Sequence, residues 1–280
     1  MNRTYSLAQL IALPYAPPQL MQLAHTVGCG FVGIRVLPAA PGGLHHAVQD
    51  NPAMLRETKA MMAGTGVRVL DVELVRLAPT WQLDQARGLL DVSAALGARH
   101  ILVAGDDADH ARTTAQFVQL CEAAAPLGLT CDLEFMPWTG VKTVREAAAI
   151  VAAAAQPNGG VLVDALHWGR SASTLADVAA LPREVLHYAQ ICDGAVPPPT
   201  TVEGLIHDAR CERLLPGEGG IDLPALFAQL PADLPISVEV PSETRAPKMG
   251  YEAWARLALA MARQTLEPDA THGRHRQAYP

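Results

Sequence analysis

Apolar runs and helix-like stretches alternate eight times along this 280-residue chain, and that regularity restricts the fold more than any single motif. Strand-like runs fall near 5–13, 31–37, 67–75, 99–104, 129–135, 160–165, 186–191 and 235–240. Helical stretches lie near 17–27, 51–64, 82–96, 108–126, 142–155, 174–180, 222–230 and 250–265. Alternation of this kind implies parallel strands, because each return to the sheet crosses through a helix. Eight units close into a barrel more naturally than they form an open doubly wound sheet, whose usual count is about five or six strands. No Gly-x-Gly-x-x-Gly follows the first run, which argues against a dinucleotide fold. Gly28 and Gly30, Gly97 and Gly128 read as helix stops. Asp84, Asp107 and Thr143 read as helix starts, where an oxygen or a negative charge complements unpaired N–H groups. The expected architecture is α/β, a single (β/α)8 TIM barrel over residues 1–266, followed by a polar, aperiodic and flexible tail at 267–280.

Composition narrows the partners. Half the residues are hydrophobic and 18% are charged, enough for a large core and without a signature of disorder. A net charge of −7 with no Lys/Arg cluster argues against nucleic acid and suits a small-molecule partner. Cys29, Cys121, Cys131, Cys192 and Cys211 form no C-x-x-C pair, and their odd number and irregular spacing indicate neither a disulfide framework nor a zinc site. Reduced thiols point to the cytoplasm. The run Leu7 to Leu13 is interrupted by Gln9 and is read as the first strand, not a signal-peptide core. No run approaches the roughly 20 apolar residues that a membrane helix needs. A homodimer is compatible with the sequence, which sets no oligomeric state.

Four polar residues end four successive strands: Glu134, Asp164, Gln190 and Glu239. In a closed parallel barrel they converge at the strand C-termini, where such barrels keep their chemistry. Close carboxylates repel, and a divalent cation is the usual means of keeping several ionised together. An all-oxygen set favours Mn²⁺ or Mg²⁺, with Co²⁺ or Zn²⁺ as alternatives. His167, three residues after Asp164, is expected to contact substrate. Arg210 and Arg213 are expected in a loop after the seventh strand, where a guanidinium could grip a hydroxyl, carboxylate or phosphate. Arg76 and Arg35 are further candidates, and Trp138 and Trp168 could wall the pocket. His187 should lie near the opposite end of the barrel with a structural role, and the other histidines on the surface. No Gly-x-Ser-x-Gly, Walker loop or His-Glu-x-x-His is present, and Ser237 and Ser242 have no evident base.

With these residues in place, the chain resembles the xylose isomerase-like TIM-barrel superfamily of sugar isomerases and epimerases. The likeness is most specific in Leu133-Glu134-Phe135, in Val163-Asp164-Ala165-Leu166-His167, in Ala189-Gln190-Ile191-Cys192-Asp193-Gly194, in the Arg-x-x-Arg-Leu-Leu-Pro-Gly-Glu-Gly stretch from Arg210, and in Ser237-Val238-Glu239-Val240. The resemblance implies one divalent metal held by Glu134, Asp164, Gln190 and Glu239, with substrate contacts from His167 and from Arg210 or Arg213. Ketohexose 3-epimerases of the tagatose type carry His where this chain has Gln190. A Gln at that position also looks like bacterial 3-dehydroshikimate dehydratases on the same barrel.

Three functions are therefore weighed. The first is a metal-dependent isomerase or epimerase of carbohydrate metabolism, acting on a sugar or sugar-like hydroxy-ketone. Glu134 and Glu239 would flank the acidified carbon and exchange its proton through an enediolate that the metal stabilises. The second is a lyase that dehydrates a cyclic hydroxy-ketone such as 3-dehydroshikimate or inosose. The third is a sugar-binding barrel without catalysis. The expected partner in each is a small polyhydroxy molecule.

Overall fold

A computed structural model describes residues 3–267. Eight strands form one closed sheet: β1 (Tyr5–Leu7), β2 (Phe31–Arg35), β3 (Arg68–Leu77), β4 (His100–Gly105), β5 (Thr130–Glu134), β6 (Gly159–Asp164), β7 (Ala189–Ile191) and β8 (Ile236–Val238). Each pairs in parallel with the next, and β8 returns to β1 with Tyr5 opposite Ile236. The (β/α)8 barrel expected from the alternation is the observed fold. The proposed flexible tail lies outside the described residues, apart from Glu267.

Strand side chains alternate between two environments. Ile101, Val103, Leu133, Val161 and Val163 face the surrounding helices in one large apolar cluster. Phe31, Leu70, Leu74, Leu102, Ala104, Leu162 and Tyr188 form a separate, smaller cluster on the other face, inside the barrel. The helices cover the outer layer through apolar faces set by local signals. The helix Val144–Ala154, for example, buries Val144, Ala147, Ile150, Val151 and Ala154. It begins with a reciprocal cap in which Thr143 Oγ1 accepts from the Glu146 amide and Glu146 Oε2 accepts from the Thr143 amide.

At the N-terminal foot of the barrel, Asp132 accepts from Thr130 Oγ1 (2.7 Å) and from His187 Nδ1 (2.6 Å). Gly160 is required there, since a Cβ would collide with both Asp132 Oδ1 and His187 Nδ1. His187 thus sits at the end of the barrel remote from the strand C-termini, as expected. His100 departs from the expected surface position: it is buried, bonds Thr130 Oγ1 at 2.7 Å and stacks on Tyr188. Burial pushes its pKa down to about 4, so its ring is neutral near pH 7.

Three further details differ from the sequence reading. The run 5–13 splits into β1 and a 3₁₀ turn at Gln9–Ala12, because the Gln9 amide bonds the Tyr15 carbonyl and turns the chain over the barrel mouth. Asp107 is not a helix cap; it holds Arg112, and Asp109 caps the helix His110–Ala124. A helix at Val202–Cys211, capped by Thr201, was not expected, although Val202, Leu205, Ile206 and Ala209 fall at helical spacing; of these only Ala209 is buried.

Candidate active site and metal centre

The strand C-termini build a pocket lined by Leu10, Leu74, Met136 and Trp138, with Glu134, His167, Arg213 and Glu239 among its polar groups. Asp164 ends β6 and caps the short helix Ala165–Arg170, accepting from the His167 amide at 2.9 Å. That cap turns His167 back over the barrel. Its Nε2 lies 3.7 Å from Glu134 Oε1, and Trp138 stands edge-on to its ring at 5.1 Å. Donor atoms of Glu134, Asp164 and His167 all fall within 4.8 Å of one another.

Arg213 is the cation of the site. Its Nη1 donates to Asp164 Oδ2 (2.6 Å), its Nη2 pairs with Glu239 Oε2 (2.8 Å) and its Nε donates to the Ala209 carbonyl (2.8 Å). Asp193, given no role from sequence, fixes this arrangement. Its backbone pairs on both sides with Leu214, next to Arg213. Its carboxylate accepts amide bonds from Gly217, Gly219 and Ile221 at 3.0–3.1 Å. Gly219 is needed for that close approach, as a Cβ there would meet the Asp193 carboxylate and the Gly194 carbonyl.

Arg210 lies in the last turn of Val202–Cys211, not in a loop, and stands at the pocket mouth. Arg76 lines the same pocket but bonds Asp106 (3.0 Å) and the Ala39 carbonyl. Arg35 is paired with buried Glu73 at 2.8 Å. Trp168 does not line the pocket and packs against the outer core. Of the two serines, Ser242 bonds Glu212 and Ser237 is buried without a partner. Glu73 was missed in the sequence, although Leu70-Asp71-Val72-Glu73 shows its signal: two carboxylates two residues apart on one face of a strand.

The electrostatics are those of an acid-rich, buried site. Burial, reinforced by Asp164 and Glu239, holds Glu134 well above the usual carboxylate range. Burial also pushes Glu239 up to about 7, against the opposing pull of Arg213. Burial alone would raise Asp164, but Arg213 and His167 keep it below its ordinary value. Burial lowers His167 to about 4, leaving a neutral ring.

A divalent cation fits these residues. Three buried carboxylates face one buried guanidinium, so two negative charges are uncompensated when all are ionised. Glu134 Oε1 and both amide atoms of Gln190 are buried with no hydrogen-bond partner. Glu134 and Asp164, with Gln190 beside them on β7, supply oxygen donors for such an ion, and His167 stands next to them.

The sign of the resulting pH dependence follows from Glu239. Its native pKa lies above the ordinary 4.5, so its contribution to stability is fully present below 4.5 and is lost as pH rises through about 7. In chelator, the urea midpoint is expected to fall between pH 5 and pH 8, and Mn²⁺ is expected to restore it most at pH 8. A midpoint in chelator that rises over this window would contradict the assignment.

A model of the xylose isomerase-like TIM barrel family matches residues 21–265, and the chain belongs to that family. A 3-dehydroshikimate dehydratase of Pseudomonas aeruginosa is 29% identical over 167 residues, which are 56% of this chain. The match spans only about a quarter of that relative's length (26%). Among solved structures, the zinc-bound IOLI protein superposes with a TM-score of 0.77 at 17% identity, covering 95% of this chain and 98% of its own. A D-allulose 3-epimerase from Methylomonas sp. gives 0.67 at 17% identity, covering 94% and 97%. At these identities the structural likeness concerns the fold.

Proposed function

We propose that this protein is a divalent-metal-dependent dehydratase of a cyclic hydroxy-ketone. The observation that carries the reading is the unequal state of the two glutamates. Glu134 keeps a buried oxygen without a partner, whereas Glu239 is engaged by Arg213 at 2.8 Å. Epimerisation by two bases needs both faces free to exchange protons, while elimination needs one competent base. The sequence match to a 3-dehydroshikimate dehydratase supports the same choice.

When bound, a divalent metal polarises the substrate carbonyl and so acidifies the neighbouring C–H. Glu134, its proton affinity raised by burial, takes that proton. The electron pair left on carbon forms the new double bond as the β-hydroxyl departs, and the proton on Glu134 leaves with it as water. Neutral His167, beside Glu134, holds a substrate oxygen, and Trp138 excludes water from that side. Arg213 fixes Asp164 and Glu239 so that neither drifts toward the reacting carbon.

A second reading, isomerase or epimerase, has one observation in its favour: with its pKa near 7, Glu239 could both accept and return a proton at neutral pH. The Mn²⁺-loaded protein should be assayed in D2O against cyclic hydroxy-ketones and ketohexoses. The expected result is loss of water and an enone absorbing in the ultraviolet. Deuterium incorporation at carbon with an epimer and no unsaturated product would establish the epimerase instead, and neither signal would leave a binding barrel.

A further inference from the structure

We propose a second metal site at the N-terminal foot of the barrel, remote from the catalytic one: His100 of β4, Asp132 of β5 and His187, just before β7, bind a borderline divalent cation such as Zn²⁺. The reaction proposed above does not require it, and the two readings stand or fall separately.

Donor atoms of the three residues lie within 4.8 Å of one another. The imidazoles address different oxygens of the carboxylate: His187 Nδ1 is 2.6 Å from Oδ1, and His100 Nδ1 is 3.7 Å from Oδ2. Donors in a tetrahedral zinc shell stand roughly 3.3 Å apart, a distance that these two separations bracket. The two rings are nearly parallel, inclined by 9° with centroids 6.0 Å apart. Gly160 keeps the space beside Asp132 and His187 clear, since a Cβ there would run into both.

His187 is oriented as a ligand. The Glu184 carbonyl accepts from its ring, and with Nδ1 turned to Asp132 that bond falls to Nε2. A neutral ring held in this way aims its Nδ1 lone pair at a carboxylate oxygen, a contact that only a cation between the two makes favourable. A proton can serve, and so can a metal. A backbone carbonyl on the far nitrogen is the usual support of a ligating histidine. Asp132 is fully buried, and among the described residues no Lys or Arg pairs with it. Arg183 is turned to Asp233, and Arg99 lies over the Phe31 ring, so neither takes up the carboxylate. The His187 and His100 side chains keep 17% and 10% exposure, which gives an ion a way in from the foot.

The donor set decides the metal. Two nitrogens and one carboxylate favour Zn²⁺ or Co²⁺ over Mg²⁺ and Mn²⁺, the reverse of the oxygen-rich set at the strand C-termini. Water completes a four-coordinate shell. An ion held there ties β4, β5 and the entry to β7 together and acts as a clamp on the barrel.

Metal titration at pH 8 tests this, with Glu134→Gln/Glu239→Gln protein used to weaken the catalytic centre. Zn²⁺ should bind that variant as one ion per chain, and Co²⁺ should give the intense visible absorption of a four-coordinate site. Mg²⁺ should do neither. Adding Asp132→Asn, which keeps the shape of the side chain, should weaken Zn²⁺ binding by roughly tenfold or more, since even the outer partners of a metal are worth that much. His187→Gln should do the same. Zinc-edge anomalous diffraction from the parent protein gives an answer that does not depend on any variant folding: a peak is expected among His100, Asp132 and His187. The proposal is overturned if the zinc-soaked parent shows no such peak, if Asp132→Asn leaves Zn²⁺ affinity unchanged, or if Mg²⁺ binds the foot as well as Zn²⁺. Any of these outcomes reduces the cluster to a hydrogen-bonded network.

Discussion

Replacement of Arg213 by methionine is expected to destabilise the fold by about 3–5 kcal/mol, the usual cost of removing one partner from a buried ion pair. Arg213 is 3% exposed and bridges two buried carboxylates, Asp164 and Glu239. Without it, burial would drive both carboxyls toward protonation, and the loop anchored by Asp193 would lose its inward contact. Urea denaturation at pH 8 should show the loss, and it should shrink at pH 5, where protonated carboxyls no longer need a counter-charge. Arg213→Lys should recover only part, since one ammonium cannot span Asp164, Glu239 and the Ala209 carbonyl at once. An Arg213→Met protein as stable as the parent at pH 8 would show that this pairing has no energetic weight.

The second large effect is kinetic. Glu134→Gln preserves shape and removes the base, so turnover should fall by about 10²–10⁴-fold, the typical contribution of one general base. Stability should hold or rise, because the substitution takes away a carboxylate whose ionisation is opposed by burial and by Asp164. The same change at Glu239, already engaged by Arg213, should cost less under the dehydratase reading and as much under the epimerase reading. Single-turnover kinetics of the two variants side by side decide between them: equal losses would favour two-base chemistry.

Much of this was legible in the sequence because it depends on period and position. The barrel follows from an alternation that only a few architectures accommodate, and the strand-end acids follow from parallel strands sharing one polarity. Gly28 and Gly97 close their helices in the left-handed region, where their lack of Cβ removes the strain. What sequence could not supply was direction. Arg210 and Arg213 sit three residues apart, and nothing in their spacing says that one turns inward to Asp164 while the other remains at the mouth. The Asp193 clamp decides it, through backbone groups that every residue carries alike. His100 gave no pattern because it and His187 reach Asp132 from segments far apart in sequence, brought together only by closure.

That closure also bears on how the protein becomes active as it is made. The site draws on β5, β6, β7 and the residue after β8, and β8 is held between β7 and β1. A nascent chain that has emerged only as far as β7 has Glu134, Asp164 and Gln190, yet lacks Glu239 and leaves two open sheet edges, at β1 and β7. Such edges invite pairing with other chains, and contacts between chain ends are the slowest to form. Competence and protection from aggregation therefore arrive together, with the last strand.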